Sequence, residues 1–201
     1  MGETDKDARQ RILDASIALF SKKGYAGAGV REIAAEAHVN LAMISYYFNG
    51  KIGILKEIID YFFNLYLPIF KNVDDPEKSP EACFRQLVYN LVQFIRQNTE
   101  LFLLIYNELP LDVPEVAELK SRRIQELLKI VSGLLIRLGL NPENRIQVAI
   151  IAPSLISATV AQFRLRPVMK QVYQIEPNDR YYEKYVDTIC TLFLNGVSGL
   201  K

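Results

Sequence analysis

The chain has 201 residues, half of them hydrophobic, which is enough for one large domain or a small domain joined to a larger one. With 24 Lys and Arg against 23 Asp and Glu the formal charge is +1, so no global field draws the protein onto nucleic acid, and any such binding must be local and geometric. One histidine and two widely separated cysteines, Cys83 and Cys190, give neither a metal cluster nor a CxxC pair; no metal and no cofactor is expected, and the cysteines read as small buried hydrophobes.

The N-terminal MGETDKDARQ is charged and lacks the apolar run of a secretory signal, so a cytoplasmic protein is expected. From Asp5 to Lys23 the apolar positions Ala8, Ile12, Ala15, Ile17, Ala18, Leu19 and Phe20 have the spacing of an amphipathic helix, with Thr4 or Asp5 as its cap and Gly24 as its terminator. GYAGAG, residues 24–29, is glycine-rich, but Glu32 stands where a phosphate-binding fingerprint needs a third glycine and no strand precedes it; it reads as a turn between helices.

Val30 to Ala37 is a short helix with Val30, Ile33, Ala34 and Ala37 on its inner face. His38 follows where the chain must turn sharply, a place for a residue that tolerates left-handed backbone, and Asn40 is suited to cap the next helix. In Leu41 to Tyr47, the spacing of Ile44 and Phe48 directs both into a three-helix core and leaves Leu41, Ala42, Ser45 and Tyr46 outside. Two apolar residues, a hydroxyl and a phenol make a poor solvated face but a suitable one for thymine methyls, base edges and phosphates. After the Asn49-Gly50 turn, Lys51 opens a fourth helix, whose N-terminus and ammonium together can hold a phosphate. Between Lys6 and Lys51, seven basic residues face four acidic ones, a local excess of three.

The stretch RILDASIALFSKKGYAGAGVREIAAEAHVNLAMISYYFNGKIGILKEII resembles the DNA-binding domain of the tetracycline-repressor (TetR) family of bacterial transcription regulators. Three features carry the resemblance: the first helix ending in Phe20 and Gly24-Tyr25, the Val30-Arg31-Glu32-Ile33-Ala34 helix, and the Tyr47-Phe48-x-x-Lys51 ending. The resemblance implies an all-α homodimer, a palindromic double-stranded DNA operator, and a C-terminal domain that binds a small effector and releases DNA. It makes Tyr47 and Lys51 phosphate contacts, groups Arg31 with them, and makes Leu41, Ala42, Ser45 and Tyr46 the base-reading positions. The departures from the family pattern are Ala28-Gly29 in place of a capping Thr-Ser, His38 in place of the turn glycine, Ser45 in place of a tyrosine, and Ile52-Gly53 in place of an acidic pair.

The fourth helix is expected to run to about Ile69, weakened at Pro68, so that a tilt at one end moves the other. A DNA-binding domain is expected over 1–52 and a helical effector-binding and dimerisation domain over 53–201. NVDDPEKSP, residues 72–80, reads as a loop; further helices are expected at 81–98, 99–108, 116–138, 142–165 and 179–197. A break is placed at Leu109–Pro114, and Pro142 is taken as a first-turn residue. Residues 166–178 read as a loop with one helical turn at Met169–Val172, and no sheet is expected.

Val148–Ala161, the most apolar segment, is shorter than the roughly 20 residues that cross a bilayer, so no membrane partner is expected. The helix around it and the last one are apolar on so many sides that packing against a symmetry mate is expected, through Ile156, Val160, Tyr185, Ile189 and Phe193. Phe62, Tyr66, Phe102, Tyr106 and Phe163 are candidates for a pocket taking a hydrophobic or aromatic effector, with Arg164 as the cation for an anionic one. The absence of a nucleophile with a base nearby argues against an enzyme. The alternative is a helical small-molecule-binding or interaction protein that binds no operator.

Overall fold

Ten α-helices and no strand make up the described residues of the computed structural model. These are residues 3–71, 73, 75–107 and 113–198, with the side chains of 3–6, 107, 197 and 198 left aside. In chain order the helices are α1 (Glu3–Gly27), α2 (Val30–Glu36), α3 (Leu41–Phe48), α4 (Lys51–Lys71), α5 (Pro80–Gln97), α6 (Thr99–Asn107), α7 (Pro114–Arg137), α8 (Arg145–Arg164), α9 (Arg166–Tyr173) and α10 (Asp179–Ser198).

The chain divides into two compact units, one formed by residues up to Leu65 with Asn98–Arg123, the other by Tyr66–Gln97 with the residues from Ile124 onward. In the first, α1 packs on α2 and α2 on α3, and α6 lies along α1. Ile12, Phe20, Ile33, Ile44, Phe48, Ile54 and Leu55 are buried there. Ser16, a buried polar side chain of this core, donates its hydroxyl to the Ile12 carbonyl at 2.6 Å, which satisfies it within its own helix. Arg123 reaches Asp60 with two donors, at 2.6 and 3.2 Å, and so ties α7 to α4. In the second unit α5 packs on α8 and α10. Tyr185 donates to the carbonyls of Ala158 and Thr159 at 2.6 and 3.0 Å, and its burial pushes the phenol far above its ordinary pKa, so it stays a neutral donor. Cys83 and Cys190 are both buried and free in this unit.

Several boundaries differ from expectation for local reasons. α1 begins at Glu3, so Thr4 and Asp5 lie in its first turn instead of capping it, and their side chains are outside the described residues. Gly24 does end the first regular stretch: at φ 72° and ψ 163° it breaks the helix before a short continuation to Gly27. α8 starts three residues after Pro142, because Asn144 is its cap, accepting from the Gln147 N–H at 3.1 Å, while Asn141 closes its own turn by accepting from Glu143 at 3.0 Å. α9 is a full eight-residue helix opened by Arg166-Pro167, where only one turn was expected. The expected break at Leu109–Pro114 falls mostly outside the described residues, as do Asn72 and Asp74 of the 72–80 loop.

α8 also exceeds the apolar segment within it. At 20 residues with a mean hydropathy of 1.6 in its most apolar window, it is long and apolar enough to cross a membrane by length and composition. Arg145, Ile146 and Gln147 before the segment and Gln162, Phe163 and Arg164 after it supply the added length. Its face formed by Ala152, Leu155, Ile156, Thr159, Val160 and Phe163 is buried inside the unit.

Candidate nucleic-acid interface

The site starts from how α2 ends. His38 takes φ 53°, the left-handed conformation expected of a turn residue there. It is the αL residue of a Schellman closure in which the Val39 N–H donates to Ala34 at 3.0 Å and the His38 N–H to Ala35 at 3.1 Å. Asn40 then caps α3, its side-chain oxygen accepting from the Ala42 N–H at 2.9 Å. Two adjacent local devices thus fix the angle between α2 and α3. The start of α2 is held differently: Gly29 is its N-cap and offers no side-chain hydrogen bond, while the Glu32 carboxylate of the first turn accepts from the Gly29 backbone.

Within α3, Ile44 and Phe48 are buried, and Leu41, Ala42, Ser45 and Tyr46 are exposed, Leu41 to 41% and Tyr46 to 78%. Positions i, i+1, i+4 and i+5 form one outward face, so the four expected base readers are brought together. Tyr47 is half-buried, its ring edge-on to Tyr46 at 4.9 Å and to Phe48 at 6.3 Å. Asn49 ends α3 at φ 57°, donating to the Ser45 carbonyl at 3.0 Å.

The cations sort into committed and available ones. Arg9 pairs with Glu57 at 2.6 Å and lies 5.3 Å over the Phe48 ring, bracing the core beneath α3. Lys23 pairs with Glu32, and that contact holds the Glu32 carboxyl below its usual range. Among the described residues, Arg31 and Lys51 make no ion pair, so their charge is open to an outside anion. Lys51 stands at the first turn of α4, where free backbone N–H groups also favour anions.

Gly53 has a role that the sequence did not disclose. A Cβ at this position would lie 1.5 Å from the Phe48 carbonyl oxygen, so the first turn of α4 approaches the end of α3 more closely than any side chain permits. Gly53→Ala gains about 1 kcal/mol of helix propensity but must push that carbonyl aside. We expect a net loss of about 1–3 kcal/mol in chemical denaturation; a more stable variant would show that the contact does not constrain the junction.

The six residues suggested for an effector pocket divide between the two units. In the first unit Phe62 meets Phe102 edge-on at 5.7 Å, and Phe102 stacks with Tyr106 at 6.1 Å. In the second, Tyr66 contacts Phe70 and Phe94 at 4.9 and 5.3 Å, while Phe163 stacks on Tyr182 at 5.6 Å and Arg164 is exposed. A cavity of about 300 Å³ lies elsewhere in the second unit, lined by Leu128, Ser132, Ile136, Pro142, Arg145, Val148, Ala149, Ala152 and Pro153. Aromatic content alone pointed to none of these.

The residues expected at a symmetry mate are also placed differently. Ile156, Val160, Tyr185 and Ile189 are buried within the single chain, and Phe193 is half-buried with its ring 6.5 Å from Phe84. Among the described residues the exposed large apolar side chains of the same helices are Ile146 and Ile150 on α8, at 74% and 60%, and Leu192 on α10, at 64%. Helices apolar on two sides carry one face into their own core, and periodicity cannot tell which.

Residues 12–58 match the family model described as "Bacterial regulatory proteins, tetR family". The Bacillus subtilis protein "Probable HTH-type transcriptional regulator YttP" is 26% identical over 182 residues, 88% of this chain and 86% of that protein. The fold resembles that of the Bacillus subtilis regulator FadR solved with stearoyl-CoA, at a TM-score of 0.72 and 16% identity over 94% of this chain and 98% of that one. It also resembles AibR solved with isovaleryl coenzyme A and operator DNA, at a TM-score of 0.75 and 17% identity over 94% and 98%.

Proposed function

We propose that this chain, which belongs to the tetR family of bacterial regulatory proteins and is a helix-turn-helix, DNA-binding transcription regulator, acts in the cytoplasm as a homodimeric repressor released from a palindromic operator by a small effector. The observation that carries the reading is the outward face of α3, Leu41, Ala42, Ser45 and Tyr46, set over a buried Ile44 and Phe48, with Arg31 on α2 and Lys51 at the start of α4 in no ion pair among the described residues. Base edges and thymine methyls suit that face, and phosphates suit the two cations and the half-buried Tyr47. The reading is of a binding protein, not an enzyme.

Two copies would present their α3 helices to successive major grooves, about 34–36 Å apart. The exposed apolar residues of α8 and α10 supply a face for the symmetry mate, which explains a helix composed like a membrane span without a membrane. The effector domain is taken to begin at about residue 53, α4 being continuous from Lys51 to Lys71.

For the effector we favour an amphiphile with an apolar body and an anionic group. Two fold relatives were solved with acyl-CoA thioesters, and the cavity between α7 and α8 sets Arg145 beside Leu128, Ile136, Val148 and Pro153. The aromatic clusters around Phe62, Tyr66, Phe102, Tyr106 and Phe163, with Arg164, are the other candidate sites. Release requires only that the effector bind the DNA-incompetent form more tightly, by the factor it removes from DNA affinity.

The test is operator selection from a random duplex pool, followed by the same selection with Ser45→Ala and Tyr46→Ala. A palindrome should emerge with the native chain, and the variants should change the preferred bases at fixed positions, each altered contact amounting to about 1–3 kcal/mol of discrimination. Recovery of the same palindrome by both variants would remove Ser45 and Tyr46 from base reading, and failure to enrich any sequence would remove operator binding itself.

A further inference from the structure

We propose that Tyr25 is a positioning residue for DNA binding, its ring face holding the Lys51 ammonium where that cation meets a DNA phosphate. The proposal rests on the reading of Lys51 as a phosphate contact and adds the group that orients it. The Gly24 break at φ 72° separates Tyr25 from the regular part of α1. Its ring meets Phe20 edge-on, with centroids 5.3 Å apart, and Phe20 is fully buried, so the Tyr25 ring rests on a fixed wall. On this pair sits Lys51, its Nζ 4.3 Å from the Tyr25 centroid and 5.9 Å from that of Phe20. Glu32 of α2 and Glu57 and Asp60 of α4 are engaged with other cations, Lys23, Arg9 and Arg123 in turn.

An acid in place of the ring would also hold the ammonium, but it would cancel the charge that DNA needs. A π face attracts the cation and leaves it a cation. The ammonium has three N–H donors, and a ring on one side leaves donors for a phosphate on the other. The four-carbon stem of lysine is flexible and must be frozen to make that contact; a stem already restrained by Tyr25 and Phe20 loses less freedom on binding. Partial burial lowers the Lys51 pKa from its ordinary value, in keeping with an ammonium drawn in against aromatic walls.

The experiment is a double-mutant cycle on the full chain, with Tyr25→Leu, Tyr25→Phe, Lys51→Ala and Tyr25→Leu/Lys51→Ala, read as affinity for a random-sequence duplex at several salt concentrations. Tyr25→Leu should weaken binding by about two- to fivefold when Lys51 is present and add nothing once Lys51 is gone, while Tyr25→Phe should stay within about twofold of the native chain. Equal losses in both backgrounds, or a Tyr25→Phe loss as large as that of Tyr25→Leu, would overturn the proposal. A second measurement needs no DNA: the Lys51 side-chain proton resonances of the free protein should be shifted upfield by the ring in the native chain and in Tyr25→Phe, and not in Tyr25→Leu. No upfield shift in the native chain would overturn the proposal even if Lys51→Ala shows a phosphate contact. An unchanged affinity and salt slope for Lys51→Ala would instead remove the phosphate reading, and the proposal with it.

Discussion

Lys51→Ala should weaken binding to every duplex by a similar factor and flatten the plot of log affinity against log salt. Each phosphate contact on duplex DNA contributes a slope of about −0.9 through counterion release. A dimer on a palindrome carries two copies of Lys51, so the slope should fall by about two units, one per half-site. The arrangement in the structure makes this lysine the strongest candidate for such an effect. It stands at the first turn of α4, has no carboxylate partner among the described residues, and is held against Tyr25 and Phe20. Arg9 and Lys23 are also cationic but are already paired with Glu57 and Glu32, and their removal should change stability more than the salt slope. Fluorescence anisotropy with selected and random duplexes between about 50 and 200 mM salt separates the outcomes. A slope that does not change, or a loss confined to the selected sequence, would move Lys51 out of the phosphate-contact class.

The parts of the site that could be read in advance are those fixed by neighbours in sequence. His38 reads as a left-handed turn residue and Asn40 as a cap because both act on backbone groups within a few residues of themselves, and the structure has His38 at φ 53° and Asn40 bonded to Ala42. The inward positions Ile44 and Phe48 follow from helical periodicity alone. Gly53 and the Tyr25–Lys51 contact were hidden for the opposite reason. One depends on how closely α4 crosses the end of α3, the other on a fold that joins residues far apart in sequence. At the start of α8 two local rules competed: Pro142 suits a first turn, but an Asn144 that caps lies two residues later, and the cap prevailed.

For the effector pocket the sequence signal was composition, and composition does not say which residues meet. Phe102 and Tyr106 stack in the first unit, while in the second Phe163 finds Tyr182 and Tyr66 meets Phe70 and Phe94. A pocket requires a gap between elements, and the cavity of about 300 Å³ lies where small residues, Ser132, Ala149 and Ala152, leave room beside Pro142 and Pro153. Among the described residues, no aromatic side chain lines it.

The same ambiguity decides how dimerisation should be tested. Val160 is fully buried within its own chain, so Val160→Ala should cost on the order of 2 kcal/mol of stability and leave the association of copies unchanged. Ile150 presents the opposite case. It is exposed to 60% and lies one turn from Ile146, exposed to 74%, and Leu192 is an exposed apolar residue of α10. Burying an isoleucine against a symmetry mate contributes about 1.5–3 kcal/mol per copy, and Ile150→Glu would lose that twice and bury two like charges without partners. The variant should fold with the native thermal midpoint extrapolated to low concentration, sediment as a monomer, and bind a palindrome about 10²–10⁴-fold more weakly, because each α3 then binds its half-site without the effective concentration its mate supplied. Ile146→Glu should act in the same direction through the same face. A dimer that survives both substitutions at micromolar concentration would place the interface away from this side of α8, and a monomeric variant that still binds the palindrome at native affinity would mean that the two α3 helices do not act as a pair.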